Sequence, residues 1–468
     1  MHYPWWYVPH ATAPMLIALI AVVHVIVSHY AVGGGIFLAV ETRHAYKKKD
    51  TLYLNYLHRH ARFFVLLTVV FGAITGVGIW WTIGLTSPLA TETLIRTFVF
   101  GWGIEWVFFL MEVTSAFIFY YYWGKLSERV HTTIGYIYAI TAWISLVLIT
   151  GITAFMLNSG NWIKDQDFWV GFFNPQFLPQ TIIRTGGALL LTALYVYFHA
   201  SLVLRKKDKE LELRTRIARR SVFPALLGAA LIAGGSVYWF IELPASAVET
   251  LKAAAVLNLF MAIVIALSVI IFLAILIGPM RYPEWLSPGF AGLLLLLGLG
   301  AVATGEFVRE AIRKPYIVYN VVLGNQIFAD EVPRFQRDGY LQSGTWTRTY
   351  VKSEYPEVID EKTGQIVPER LLGLEREDRL KLGHTIFLYH CNDCHAETAG
   401  YSAAVPLLPK YQTVEQLTKF VKEVHEIRFN MPPFAASDAE AKILAEWLLE
   451  KQKALPKGMY FGGDQKQE

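Results

Sequence analysis

Cysteine and charged residues are both scarce in this chain. Of its 468 residues two are cysteine, and 17% are Asp, Glu, Lys or Arg, which is low for a soluble protein. Because there is no second pair of cysteines, a zinc site built from four cysteine ligands is excluded. No internal repeat or low-complexity tract stands out. Apolar residues, in contrast, make up 54% of the chain, so we expect most of it to lie in a membrane.

Both cysteines lie in one short run, Cys391-Asn392-Asp393-Cys394-His395. A Cys-x-x-Cys-His run is the attachment site of a c-type haem, in which the thiols add to the two vinyl groups and the histidine binds the iron. The alternatives are a redox-active Cys-x-x-Cys pair and half of a zinc site. The motif predicts one covalent haem c.

The residues that follow this motif agree with a haem. The segment resembles class I cytochromes c, whose second axial ligand would here be Met431, within the run 429–434. Ser437 and Glu440 have the spacing of a capping box, which predicts the start of a last helix. An iron held by His395 and Met431 has a raised reduction potential and no open position for a substrate, so it carries electrons. Since haem is attached in this way outside the cytoplasm, we expect the C-terminal segment there.

Eight apolar runs are long enough to cross a bilayer. In order they are 12–40, 63–85, 97–123, 131–157, 181–204, 221–242, 253–278 and 288–311. They predict an all-α, polytopic membrane helical bundle over residues 1–314. Residues 315–372 have no strong periodicity and are expected to form an ordered extracytoplasmic connector. Residues 373–468 are expected to form a cytochrome c-like domain.

Basic residues between the runs predict the orientation of the bundle. Arg and Lys are frequent after the first, third and fifth runs, whereas the alternate loops carry only Arg96, Lys164 and Lys252. Because basic loops face the cytoplasm, the N-terminus is expected outside. Eight crossings then return the C-terminus to the outside, where the haem motif requires it. The basic loops are explained by topology and give no reason to expect nucleic acid.

Ionisable residues inside membrane spans are costly and usually functional. Glu105 and Glu112 are two helical turns apart and therefore share one face of a helix. A histidine and several carboxylates at one depth suit a buried metal or haem together with proton handling. The alternative is that each carboxylate forms a structural ion pair with an arginine. The ionisable residues in the spans are His24, His29, Glu105, Glu112, Arg184, His199, Glu242, Glu306, Arg309 and Glu310.

Four stretches carry a family resemblance: His24 with the run 33–42, the run 104–114, the run 180–208 and the run 310–316. In this order they resemble subunit I of cytochrome bd-type oxidases. The resemblance implies that His24 and Glu310 bind the irons of an oxygen-reducing haem pair. It also implies functional roles for Glu105 and Glu112, and one or two non-covalent haems of type b and/or d.

The sequence departs from that family in three places. The histidine that binds the family's low-spin haem b is replaced by Arg184, which cannot bind iron because it stays protonated. The long quinol-binding loop is replaced by residues 243–252, and the family's ninth helix by the haem c segment. Met261, which matches the family's partner methionine, and His29 are further candidate haem-iron ligands.

Together these features predict a membrane haem oxidoreductase. Electrons would pass from a periplasmic cytochrome c or another redox protein, through the haem c, to membrane haems that reduce O2. The alternative is a non-oxidase electron-transfer subunit that links quinone or a partner dehydrogenase to periplasmic cytochromes. A third possibility is an inert membrane anchor for a cytochrome c. The resemblance further implies a bacterial inner membrane location, with the C-terminal domain in the periplasm, and an additional membrane subunit.

Overall fold

The computed structural model describes residues 7–456, apart from residue 9, residues 206–207, residue 401, residues 409–410 and residue 412. Within that part of the chain, eight helices are long and apolar enough to cross a membrane, which confirms the predicted number. Each overlaps one predicted apolar run. Their bounds are Ala13–Lys48, Thr51–Thr86, Val99–Tyr121, Glu128–Ala154, Phe177–Val203, Asp208–Ile241, Ala255–Arg281 and Pro288–Ala311.

Two of these spans begin well before the apolar run that predicted them. The second begins at Thr51 rather than at residue 63, and the sixth begins at Asp208 rather than at residue 221. Charged and polar residues lower the hydropathy of both added stretches, so hydropathy gives no signal there, but they still form helix. At the start of the second span, the Asp50 side chain accepts a hydrogen bond of 2.9 Å from Tyr53 N–H, as an N-cap. Hydropathy therefore predicts the apolar part of each span but not where its helix begins.

Helices α1 to α14 form the spans and the connections between them. The π-helical turn Leu66–Phe71 joins α2 to α3, and Leu276–Arg281 continues α13. The bounds are α1 Ala13–Lys48, α2 Thr51–Val65, α3 Gly72–Thr86, α4 Pro88–Thr97, α5 Val99–Tyr121, α6 Glu128–Ala154, α7 Trp162–Asp165, α8 Phe168–Phe172, α9 Phe177–Val203, α10 Asp208–Arg220, α11 Val222–Ile241, α12 Ala245–Ala253, α13 Ala255–Ile275 and α14 Pro288–Ala311.

Three consecutive glycines at positions 33–35 let other helices approach α1 closely. A Cβ at these positions would lie, in order, 2.2 Å from Ala188 O, 2.7 Å from the Phe64 ring and 2.1 Å from the Tyr138 ring. Those neighbours belong to α9, α2 and α6. Small residues at helix contacts are typical of membrane bundles, because packing rather than burial from water holds the helices together. The glycines therefore let α9, α2 and α6 each pack closely against α1.

The C-terminal third of the chain contains short elements. An antiparallel pair of strands, β1 Tyr316–Val318 and β2 Val322–Leu323, is followed, among the described residues, by helices and one isolated β-bridge between Ile359 and Ile366. The helix bounds are α15 Val332–Asp338, α16 Tyr340–Ser343, α17 Thr345–Glu354, α18 Pro368–Leu372, α19 Arg376–His390, α20 Ala404–Leu407, α21 Val414–Lys422, α22 Val424–Ile427 and α23 Asp438–Lys453.

The chain forms two compact units. Of the described residues, one unit contains those in Ile20–Trp80 and Leu94–Ile312; the other contains those up to Leu19, those in Trp81–Thr93 and those from Arg313 onward. Inside the second unit, His10 Nδ1 lies 2.9 Å from Ala399 O, and Leu89 N–H donates to Gln326 Oε1 at 3.1 Å. The N-terminal segment and the α3–α4 junction therefore pack with the C-terminal segment. The domain boundaries at residues 314 and 372 stay predictions.

The second unit has one apolar core. Phe335 and Tyr340, from the predicted connector, share it with Phe387 of α19 and Trp447 of α23. The helices α19 and α23 cross closely at Gly383, where a Cβ would lie 2.7 Å from a main-chain oxygen of α23. The predicted capping box is confirmed: the Ser437 and Glu440 side chains each bond to the other's main-chain N–H at the start of α23.

Candidate functional site

Glu105 and Glu112 lie on the face of α5 that packs against α6. Ser145 Oγ donates to Glu105 Oε1 at 2.7 Å, and Tyr138 Oη donates to Glu112 Oε1 at 3.1 Å. The spacing of two turns is the same on both helices, as expected for residues that share a face. Within the described part of the chain neither carboxylate has an arginine partner, so the ion-pair alternative does not describe these two residues.

The ion-pair alternative does describe Glu306 in α14. Arg309 Nη2 lies 2.8 Å and Nε 2.9 Å from Glu306 Oε2. Arg184 of α9 and His29 of α1 lie within electrostatic range of the same carboxylate. Arg184 is therefore part of a charged group that links α1, α9 and α14.

His24 of α1 is oriented by a side chain of α3. Thr75 Oγ1 donates to Gly72 O at 3.0 Å, so it accepts from His24 Nδ1–H at 3.1 Å. A Cβ at Gly76 would lie 3.1 Å from His24 Cε1, so that glycine makes room for the ring. With Nδ1 protonated, the lone pair is on Nε2, which is the form in which a histidine can bind a metal ion.

His29 makes a different bond and faces a different helix. Its Nδ1–H donates to Val25 O, one turn earlier in α1, at 2.7 Å. A Cβ at Gly187 of α9 would lie 3.2 Å from His29 Cδ2. The five-residue spacing therefore turns the two histidines to different neighbours, α3 for His24 and α9 for His29.

The remaining candidate ligands in the membrane lie on α13 and α14. Glu310 is one turn beyond Glu306 and partly exposed. Met261 packs against an apolar cluster that includes Leu257, Val308 and Ile312. Met261 is near the start of α13 and Glu310 is near the end of α14. The assignment of both residues as haem ligands stays a prediction.

The structure also joins two buried histidines, one of which the sequence analysis missed. His60 Nδ1 and His199 Nδ1 are 3.0 Å apart, and Tyr30 Oη lies 3.0 Å from His60 Nε2. His60 is fully buried, although residue 60 lies before the predicted second span and looked like part of a basic loop. The signal that identifies it is helical periodicity, because Tyr53, Tyr56, His60 and Phe64 recur on one buried face of α2.

The Cys-x-x-Cys-His motif begins where α19 ends. The main-chain N–H groups of Cys394 and His395 donate to Cys391 O at 3.1 and 2.9 Å, which forms a tight turn. Both thiols are free rather than joined in a disulfide. Lys314 Nζ lies 3.4 Å from Cys394 Sγ.

The electrostatics of the motif do not favour the two alternatives to a haem. Burial raises the pKa of the Cys391 thiol to about 12 and also raises the pKa of Cys394. A reactive redox cysteine has a lowered pKa, often at a helix N-terminus, whereas Cys391 follows a helix C-terminus. Among the described residues, no group of three or more His, Cys, Asp or Glu side chains could hold a metal ion, which argues against a zinc site.

His395 and Met431 occupy turns that hydrogen bonds hold in place. His395 Nδ1–H donates to Ser402 O at 2.7 Å, which leaves Nε2 to bind iron. His425 Nδ1–H donates to Met431 O at 2.6 Å. Within the motif, both carboxylate oxygens of Asp393 are buried without a hydrogen-bond partner, and burial raises the pKa of Asp393 to about 7. The two free thiols and a histidine whose Nδ1–H is already bonded are the donor set of a Cys-x-x-Cys-His haem site, so these residues are compatible with a haem c.

Residues 13–240 match the family model for cytochrome bd terminal oxidase subunit I. The matched region contains His24, Glu105 and Glu112 and ends before Met261, Glu310 and the cysteine motif. No curated protein matches the chain.

Among solved structures, the chain is similar to the bd oxidase from Geobacillus thermodenitrificans. The TM-score is 0.58 and the sequences are 17% identical, over 65% of this chain and 87% of that chain. At this identity the similarity establishes the fold alone. The membrane helices therefore have a bd oxidase fold.

Proposed function

We propose that this chain is a bd-like membrane oxidoreductase that accepts electrons from a periplasmic cytochrome c, or another redox protein, and reduces O2. Reduction of O2 to water consumes protons as well as electrons, one proton for each electron. The site therefore needs an electron entry and groups that exchange protons. The carboxylates Glu105 and Glu112, inside the region that matches the family, supply the second requirement.

The main support for the proposal is that each of these carboxylates is hydrogen-bonded to a hydroxyl group. An ionised Glu105 or Glu112 accepts a hydrogen bond from Ser145 or Tyr138. When protonated, the same carboxyl group can donate to the hydroxyl oxygen, because a hydroxyl both donates and accepts. Each pair therefore keeps its hydrogen bond in both protonation states. An arginine partner, which only donates, would hold the carboxylate ionised.

The electron entry is the cysteine motif. Cys391 and Cys394 would hold one haem c covalently, and His395 and Met431 would bind its iron; the group would supply one-electron transfer. Both thiols are free, and His395 is oriented with Nε2 as the ligand nitrogen. The last hundred or so residues would accordingly lie in the periplasm.

His24 and Glu310 are the residues that would hold the membrane haems, which supply oxygen binding and reduction. His24 fits because its bond to Thr75 leaves Nε2 as the ligand nitrogen. His29 and Met261 are the further candidates. Whether the haems are of type b or type d does not follow from these ligands, since both types use the same residues.

The location and partners follow from the charge pattern and the family resemblance. The chain would span the bacterial inner membrane with its basic loops in the cytoplasm, surrounded by lipid. Large apolar side chains such as Phe100 and Trp106 are 74% and 65% exposed on α5. Such a face suits lipid or the additional membrane subunit that the family uses.

The experiment is performed on the chain purified in detergent with any subunit that co-purifies. We expect carbon monoxide to shift the absorption of the dithionite-reduced protein, and oxygen to be consumed when reduced cytochrome c is added. Met431→Leu should slow oxygen consumption with cytochrome c, because it alters the haem c ligand. Since it would also open a coordination position on that iron, carbon monoxide should add a haem c contribution to the difference spectrum, while the bands of the membrane haems stay unchanged.

Two results would contradict the proposal. Membrane haems that are inert to carbon monoxide and do not consume oxygen would identify the non-oxidase electron-transfer subunit instead. A protein that contains only the covalent haem would identify the membrane anchor.

A further inference from the structure

Four ring side chains form a buried polar network in the membrane bundle, and none of them is among the candidate haem ligands described above. His60 Nδ1 lies 3.0 Å from His199 Nδ1, and the hydroxyl of Tyr56 lies 3.5 Å from both nitrogens. At the other edge of the His60 ring, Tyr30 Oη lies 3.0 Å from Nε2. Three helices, α1, α2 and α9, contribute these groups.

The surroundings of the network are apolar and aromatic. The Tyr195 ring stacks on Tyr30 at 4.2 Å, and the Phe63 ring stacks on His199 at 5.0 Å. His60 is fully buried and His199 is 7% exposed. Polar groups are costly in such a place unless they are hydrogen-bonded, so the bonds between the rings decide which nitrogens carry hydrogen.

The bond between the two histidines has two equivalent arrangements. In one, His199 Nδ1–H donates to His60 Nδ1, and His60 Nε2–H donates to Tyr30 Oη. In the other, Tyr30 Oη donates to His60 Nε2, and His60 Nδ1–H donates to His199 Nδ1. A proton that arrives at His199 and leaves from Tyr30 converts the first arrangement into the second. One proton enters and one leaves, so the net charge of the network does not change.

The network extends from a helix end towards a candidate catalytic carboxylate. His60 is nine residues from the start of α2, which is about 14 Å along the helix. At the other end, Tyr30 and Tyr138 both pack against the Phe64 ring at 5.4 Å. The hydroxyl of Tyr138 donates to Glu112 Oε1 at 3.1 Å. A water molecule between the two tyrosines would complete the connection.

We propose that the His60–His199 pair is a proton relay that carries protons from the end of α2 predicted to face the cytoplasm, through Tyr30, towards Glu112. The relay rests on the proposed function, because reduction of O2 provides the demand for protons. A purely structural role is the competing explanation, since the same bond also ties α2 to α9.

Glutamine at position 60 separates the two explanations. Its amide N–H and C=O can still form hydrogen bonds, so a structural tie survives, but an amide does not exchange hydrogen between two ends as an imidazole does. His58→Gln is the matched control, because His58 lies two residues earlier on the exposed side of α2 and stacks on Trp123 at 5.0 Å.

The first measurement is proton uptake during reduction of the membrane haems, followed with a pH dye in weakly buffered detergent solution. In His60→Gln we expect uptake to be at least about tenfold slower, with extractable haem, carbon monoxide binding and melting temperature unchanged. His58→Gln should behave as the unmodified protein. Uptake in His60→Gln within about twofold of the unmodified rate would overturn the relay.

The second measurement needs no haem. Nitrogen NMR of 15N-histidine-labelled protein, assigned with the His60→Gln variant, should show Nδ1 and Nε2 of His60 exchanging between protonated and unprotonated forms. A single fixed tautomer would overturn the relay whatever the haem content. Absence of extractable haem in the unmodified protein would instead count against the proposed function, and the NMR result would still decide the relay.

Discussion

At the scale of single residues, His24 and His29 differ in the hydrogen-bond acceptor that each ring has. Both donate from Nδ1, but His24 donates to Thr75 of a neighbouring helix and His29 to the main chain of its own helix. His29 also lies in the electrostatic range of the guanidinium of Arg184. The Glu306 carboxylate acts on His29 with the opposite sign, so the proposal that His24 is the ligand rests on its bond to Thr75 and not on charge.

The first prediction separates the two histidines. His24→Ala should remove carbon monoxide binding and at least one equivalent of extractable haem, because it deletes the iron ligand. His29→Ala is the matched control and should retain both. Haem content and carbon monoxide difference spectra of the purified variants provide the measurement. Loss of pigment in His29→Ala with retention in His24→Ala would reverse the assignment.

At the scale of helices, the glycine run in α1 has a steric explanation. The sequence identified residues 33–35 only through family resemblance, whereas the structure shows that each one meets a different helix. Gly33 is the tightest contact with main chain, since a Cβ there would lie 2.2 Å from Ala188 O. A main-chain atom cannot rotate away as a side chain can.

Gly33→Ala should therefore destabilise the bundle by about 1–3 kcal/mol, the usual cost of overpacking. Gly103→Ala is the matched control, because a Cβ at Gly103 in α5 would meet nothing within 4 Å. That substitution should stabilise the helix slightly, since alanine is the better helix former. Thermal unfolding of the full chain in detergent provides the measurement, and equal melting temperatures for the two variants would refute the steric explanation.

The number of spans could be predicted from the sequence because each apolar run is long and uninterrupted. The helix ends could not be predicted in this way. Charged and polar residues lower the hydropathy of α10 and of the start of α2, which are nevertheless helical. His60 was missed for that reason. The facing of Glu105 and Glu112 followed from helical spacing, but their partners, Ser145 and Tyr138, could not be inferred without knowing that α5 packs on α6.

At the scale of the whole molecule, each compact unit contains one of the two proposed kinds of haem site. The cysteine motif and the capping box at Ser437 were readable from the sequence, because each is a local pattern with a fixed spacing. The shared core of Phe335, Tyr340 and Trp447 was not, because it joins segments about a hundred residues apart without any periodic signal.

Acid–acetone extraction of the purified protein tests the central claim most directly, namely that histidine and carboxylate side chains inside the membrane bind porphyrin iron in addition to the covalent haem. The released and retained pigments are each counted against protein. The account predicts one haem that stays with the protein, held by Cys391 and Cys394, and at least one that is released into acetone. Release of no pigment at all would contradict it and leave only a membrane-anchored cytochrome.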